Sequence, residues 1–279
     1  MPAARRLCQA AAMHPRTPPK AHAKAYQWYV ISLRPRGEHT ALRRAAARCG
    51  AGLIALSPWV LRIRDDDATR DALGKALAAP RVVFTSPAAV RAAVVLQRLR
   101  TRPGQAWFAV GAGSAVALRR AGIGVVFAPT RMDSEGLLDL PGLQRIAGSA
   151  LGLITAPGGR GALIPALLAR GARVLRADVY ERVPVAPSPR AVAALRAQAA
   201  PAVLALSSGE ALQRVLADLP ADAAAQLRAA TVVAASERLA ELARAHGFTD
   251  IVVAQGPRPR DLLAAVDPAS LPGRERAIR

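Results

Sequence analysis

The chain has 279 residues and a mass of 29.1 kDa, enough for one large or two ordinary domains with cores of their own. It is 52% hydrophobic but only 4% aromatic, which predicts a small-aliphatic core and excludes an aromatic platform for stacking nucleobases. The net charge of +20 points to a polyanionic partner, yet the arginines are scattered rather than blocked, so charge alone selects no partner class.

Met1 to Lys24 is rich in Pro, Ala and basic residues and carries no acidic one. It is read as a disordered tail or a start placed upstream of Met13, with a transit peptide as the alternative. From Trp28 onward, short apolar runs alternate with helical patterns. Trp28–Pro35 reads as a strand and Glu38–Arg48 as a helix stopped by Gly50. Gly52–Ile63 is a long strand interrupted at Pro58, followed by a helix over Asp71–Ala79, a strand at Val82–Phe84 and a helix over Ala88–Leu99. A strand at Trp107–Gly111 leads to a helix at Ser114–Arg120, a stop at Gly122, a strand at Val125–Phe127 and a helix from Ser134 to Asp139. The rhythm then begins again. It gives a strand at Leu151–Ala156, a helix over Gly161–Arg170 stopped by Gly171, and a long strand at Arg173–Val183. Next come a helix at Val192–Gln198, a strand at Val203–Leu206, a helix at Glu210–Leu216 and a strand at Thr231–Ala235. A helix at Glu237–Ala245 with Gly247 behind it, a strand at Ile251–Ala254 and a helix at Asp261–Val266 close the series.

Such alternation predicts an α/β fold with parallel sheets. The halves also match: Gly50 and Gly171 lie 121 residues apart, Ser86 and Ser208 122 apart, and Gly122 and Gly247 125 apart. A nearly constant offset at equivalent junctions predicts an internal duplication, hence two flavodoxin-like parallel-sheet domains of about five strands each. The two long strands exceed the usual five or six residues and break the pattern at the same place. Each is expected to leave one sheet and run toward the other, so that the pair forms a two-stranded β-ladder between the domains. The expected division is a tail at 1–25, a discontinuous first domain at 26–57 and 185–268, a ladder at 58–63 and 178–184, a second domain at 64–177, and a C-terminal tail at 269–279.

In open α/β sheets ligands gather at the carboxyl ends of the strands, where each following helix exposes free N–H groups and a partial positive charge of about half an electron. Val82–Val90, VVFTSPAAV, is such a junction: Ser86 suits an N-cap and Pro87 the first helical position. The second half repeats it as LSSGEAL, where Ser207 or Ser208 caps and Ser207 with Glu210 fits a capping box. Further short strand-to-helix turns occur at Arg34–Gly37, Gly111–Ser114, Thr130–Ser134, Ala156–Arg160 and Ser236. A capped helix start can serve folding alone, but many of them aimed at one cleft suit an anion. No P-loop, dinucleotide fingerprint or nucleophile elbow is present, and no cofactor is demanded. Cys8 and Cys49 lie too far apart for a disulfide framework, and His14, His22, His39 and His246 form no metal motif. Asp65, Asp66 and Asp67 are read as a solvated loop.

In order and spacing, a series of short motifs resembles the uroporphyrinogen-III synthase family. They are Arg34-Pro35, Phe84–Val90, Val110-Gly111 before Ser114-Ala115, Pro129 with Ser134–Leu138, Gly158–Arg160, Val179-Tyr180, Leu206–Gly209 and Val232–Gly247. The resemblance covers about Trp28 to Val266. It implies cofactor-independent cyclisation of linear hydroxymethylbilane to uroporphyrinogen III, with inversion of the last ring and loss of water. It implies a monomer that takes a polyanionic tetrapyrrole; transient contact with the enzyme supplying that substrate is expected, and nucleic acid is not an expected partner. The sparse cysteines suit a reducing cytoplasm, and no apolar run is long enough to span a membrane, so no membrane partner is expected. Tyr180 matches the family's tyrosine and is the candidate general acid. Arg34, Thr85, Ser86, Gly111, Ser114, Ser134, Gly158, Arg160, Ser207, Ser208 and Ser236 are the candidate substrate-binding residues. Two departures are noted: Gly113-Ser114 and Arg238-Leu239 stand where the family often has paired threonines. The alternatives are a two-domain ligand sensor of periplasmic-binding type and, on charge alone, a nucleic-acid-binding protein.

Overall fold

A computed structural model of the protein describes residues 26–131, 133–158 and 161–271. The first half runs β1 (Tyr29–Ser32), α1 (Thr40–Arg48), β2 (Gly52–Ala55), β3 (Trp59–Ile63), α2 (Asp67–Leu77), β4 (Arg81–Phe84), α3 (Pro87–Leu96), β5 (Ala106–Ala109), α4 (Ala112–Arg120) and α5 (Ser134–Leu138). The second runs β6 (Ala150–Thr155), α6 (Leu163–Ala169), β7 (Arg173–Asp178), β8 (Tyr180–Pro184), α7 (Pro189–Arg196), β9 (Ala202–Leu206), α8 (Gly209–Asp218), α9 (Ala221–Arg228), β10 (Thr231–Ala234), α10 (Glu237–Ala245), β11 (Ile251–Val253) and α11 (Pro259–Ala264).

These strands make three sheets. One is five-stranded and parallel in the order β11-β10-β9-β1-β2, another is four-stranded and parallel in the order β5-β4-β6-β7, and β3 pairs with β8 antiparallel in a sheet of two. The pairing of Trp59 with Pro184 and of Ile63 with Tyr180 is the expected ladder. Each long strand of the sequence reading is two strands joined by a short break, after Ala55 and after Asp178. Pro58 explains the first break, because it has no N–H to give to a continuing ladder.

The duplication shows in the topology. Position by position, β1 to β5 correspond to β6 to β10, and the residues around Phe127 correspond to β11. Each half gives its first two strands to one sheet and, after crossing through the ladder, the rest to the other. The lobes are therefore reciprocal exchanges between the halves, and neither is a contiguous piece of chain. The matched glycines share one role. Gly50, Gly171, Gly122 and Gly247 follow the last turns of α1, α6, α4 and α10 with φ of 69°, 76°, 94° and 85°, the left-handed closure that only glycine adopts without strain. The offset grows from 122 to 125 because the second half carries the extra helix α9 where the first has a loop. The sequence pattern does not announce that helix, since Ala221–Arg228 has only a weak apolar stripe after Pro220.

Alternation along the strands divides the core. Ile31 packs on one face of the five-stranded sheet and Val30 on the other; Val82 and Phe84 face one side of the four-stranded sheet and Val83 the opposite side. Phe84 and Trp107, on neighbouring strands, stack at 5.9 Å.

Three local expectations are corrected. Val125–Phe127 is not a strand: Phe127 makes a single bridge to Phe108, because Gly124 and Pro129 bracket too short a run and Val125 is 69% exposed. The Asp65–Asp67 stretch is not merely a solvated loop, since Asp66 caps α2 by accepting the Thr69 N–H at 2.8 Å. That hydrogen bond and the one from the Thr69 hydroxyl hold the Asp66 carboxyl below its ordinary value. In LSSGEAL the cap is Ser208, which accepts from the Ala211 N–H, so Glu210 falls one position short of closing the box.

Candidate active site

At the carboxyl edge of the four-stranded sheet lies a cavity of about 250 Å³. Its walls come from the β4–α3 turn, the end of β6, the start of α5 and the strands β7 and β8. Ser86 has extended backbone (φ −155°), and its Oγ accepts the Ala89 N–H at 3.0 Å, with Pro87 opening the helix behind it. The Tyr180 ring is buried in the core of this lobe, 6% exposed, and its hydroxyl lies 3.1 Å from Ser86 Oγ. The same Ser86 oxygen thus fixes a helix start and holds the phenol. Beside them the Thr85 hydroxyl donates to Thr155 Oγ1 at 2.8 Å across the ends of β4 and β6.

Two arginines also line the cavity. Arg176 on β7 donates to Asp178 at 3.0 Å and to the Ala156 carbonyl at 3.4 Å. Arg182 on β8 lies 5.8 Å over the Trp59 ring. No carboxylate is among the described residues lining the cavity, although each arginine has one as partner, Asp178 for Arg176 and Glu210 for Arg182.

Of the predicted site residues, Thr85, Ser86, Ser134, Gly158 and Tyr180 come together on these walls. Ser134 opens α5 but does not cap it; Asp133 does, accepting the Gly136 N–H at 2.8 Å. Gly111 is the cap residue of α4 and Ser114 is buried within that helix; neither lines the cavity, although Val110 does. Arg34, Ser207, Ser208 and Ser236 belong to the other lobe, at the carboxyl ends of β1, β9 and β10. Ser236 is the cap residue of α10 without a side-chain bond to it. Arg160 lies outside the described residues. Arg34 is half-buried and makes no ion pair with a described residue; burial pulls its guanidinium below its ordinary value, opposed by the Glu38 carboxylate.

The lobes meet through ion pairs across the gap. Arg91 on α3 pairs with Glu38, which follows β1, at 2.5 Å, and Arg182 on the ladder reaches Glu210 on α8 at 3.4 Å. These contacts join the two lobes, while the described residues lining the cavity come from the four-stranded lobe and the ladder.

His39 belongs to no motif in the sequence, yet the fold gives it two partners. Its imidazole is 7% exposed, with Nδ1 2.9 Å from Ser32 Oγ and Nε2 2.8 Å from Ser57 Oγ. It ties the end of β1 to the last residues before the ladder. No motif could have revealed this, because the three residues meet only in the fold. Burial first, then Arg43 and Arg34, push its pKa down from 6.5 to about 4. The unfolded chain therefore takes up a proton between pH 6.5 and 4 that the folded chain refuses. Stability is unaffected above that window, falls as pH drops through it, and loses up to about 3 kcal/mol by its lower end. Urea titrations at several pH values are expected to show this slope in the wild type and to lose it in His39→Gln.

Among the described residues no helix is long and apolar enough to cross a membrane, and no group of three metal-ligating side chains gathers. Compared with known proteins, residues 45–264 match the family model described as uroporphyrinogen-III synthase HemD. The chain is 36% identical over 163 residues to the uroporphyrinogen-III synthase of Escherichia coli K12, covering 57% of this chain and 66% of that protein. It is 35% identical over 162 residues to the synthase of Salmonella typhimurium LT2, with the same coverage. The aligned part thus spans just under two thirds of the length of these relatives. Among solved structures, a mutant uroporphyrinogen III synthase from Thermus thermophilus matches with a TM-score of 0.53 at 19% identity, over 85% of this chain and 96% of that one. The uroporphyrinogen-III synthetase of Helicobacter pylori 26695 matches with a TM-score of 0.53 at 14% identity, over 85% and 96%. At such identities the two structures speak for the fold, two parallel α/β lobes on a ladder. The match of the family model over most of the chain carries the assignment further: this chain belongs to the uroporphyrinogen-III synthase family.

Proposed function

We propose that the protein cyclises hydroxymethylbilane to uroporphyrinogen III, a lyase reaction of haem biosynthesis that inverts the last pyrrole ring and releases water. The observation that carries this is the Tyr180 hydroxyl, held by Ser86 in a cavity with two arginines on its wall. The substrate bears acetate and propionate groups on every ring, and helix starts with arginines complement them.

The chemistry needs one proton at the right place. Tyr180 donates its proton to the departing hydroxyl, which leaves as water, and the terminal carbon becomes an electrophilic methylene. That carbon bonds to the substituted position of the last ring and forms a spiro intermediate. The intermediate fragments and recloses at the free position, and the proton lost as the pyrrole regains aromaticity restores the phenol. Uncatalysed closure gives the uninverted isomer, so the protein must chiefly hold the chain where only the spiro route is in reach. Thr85, Ser86, Ser134 and Gly158 bind from one lobe; Arg34, Ser207, Ser208 and Ser236 bind from the other; Gly111, Ser114 and Arg160 complete the proposed set. The division is likewise proposed as 26–57 with 185–268, the ladder at 58–63 and 178–184, and 64–177; sheet membership supports it. A cytoplasmic monomer that receives its unstable substrate by transient contact with the supplying enzyme fits this chemistry. Freshly made hydroxymethylbilane tests the proposal: isomer III after oxidation of the product is the expected result, and isomer I at the spontaneous rate refutes it.

A further inference from the structure

Tyr180 and Arg182 are two apart on β8, so their side chains leave the same face of the strand, roughly 7 Å along it. Both line the cavity. The Arg182 guanidinium is steadied from below by the Trp59 ring at 5.8 Å, and its Nη1 meets Glu210 Oε2 of the opposite lobe at 3.4 Å. The Glu210 side chain is 68% exposed and that of Arg182 38%, so as a fastening the pair is weak in water. Its place is informative. A carboxylate from the other lobe meets a guanidinium that lines the cavity.

We infer that Arg182 orients a substrate carboxylate beside the reacting carbon, and that Glu210 is its internal placeholder, displaced when substrate enters. This rests on the proposed function. A carboxylate one ring-substituent away from a hydroxyl at Tyr180 falls within reach of Arg182, whose fork donates to it bidentately. Stacking on Trp59 pre-orders the guanidinium, so little freedom is lost on binding. Glu210, held by Arg182 at the edge of hydrogen-bond distance and otherwise solvated, can swing away.

The test is steady-state kinetics with hydroxymethylbilane generated in situ, with circular dichroism to verify folding. Glu210→Gln is expected to lower KM three- to tenfold at unchanged kcat, because the competing charge is gone. Arg182→Gln is expected to raise KM at least tenfold, and Arg182→Lys to recover part of that loss. In the Arg182→Gln background, Glu210→Gln should do nothing. An unchanged or raised KM in Glu210→Gln, or an equal drop in both backgrounds, overturns the inference while isomer III from the wild type leaves the function standing. Failure of the wild type to make isomer III overturns both.

Discussion

Tyr180→Phe is expected to cut turnover at least tenfold while leaving the fold intact. The ring fills its place in the core either way, and Ser86 keeps its bond to the Ala89 N–H, so the start of α3 survives. What disappears is the one O–H aimed at the cavity from the ladder. General acids contribute about 10²–10⁴-fold, which places a tenfold loss at the conservative end. Equal melting midpoints with a lower kcat support the acid role; equal kcat assigns Tyr180 to packing. Ser86→Ala separates the two jobs of that serine. It costs about 1 kcal/mol of stability through the lost cap, visible in urea denaturation, while the phenol remains.

Gly152→Ala is expected to be the most damaging substitution for stability. Gly152 sits in β6, paired on either side with Val82 of β4 and Leu175 of β7. A Cβ there would come within 1.9 Å of the Ala76 carbonyl oxygen at the end of α2. The obstacle is backbone, so the helix itself must move off the sheet, at a cost of about 3 kcal/mol. Gly74, in the same helix, has open space within 4 Å of the point where a Cβ would stand, and Gly74→Ala is expected to stabilise by about 1 kcal/mol through helix propensity. Opposite shifts of the urea midpoint for the two variants check the argument, and a tolerated Gly152→Ala would refute the close approach.

Local chemistry was legible wherever it is written in consecutive residues. The N-cap at Ser86 before Pro87 and the helix stops at Gly50, Gly122, Gly171 and Gly247 follow from backbone preference and need no partner. The alternation of strands and helices set the fold class, and the offset between Gly50 and Gly171 exposed the duplication. Even the ladder was foreseeable, since strands too long for one sheet must go somewhere. What consecutive residues could not show is what meets across distance. The Ser32–His39–Ser57 bridge and the Arg182–Glu210 pair exist only once the elements dock, and the Ser86–Tyr180 contact, over 94 residues, exists only once the two halves of the chain meet.

The sequence by itself determined the two parallel α/β lobes, because periodicity and caps are short-range and each half states them again. It also marked Tyr180 and the small polar turns as candidates. Only the tertiary structure decided which candidates share a cavity: Thr85, Ser86, Ser134, Gly158 and Tyr180 do, while Ser114 is buried in its helix. The reason is geometric. A turn fixes where a helix begins, but which face looks into the gap depends on the crossing of β3 and β8, and that pairing joins residues more than a hundred positions apart.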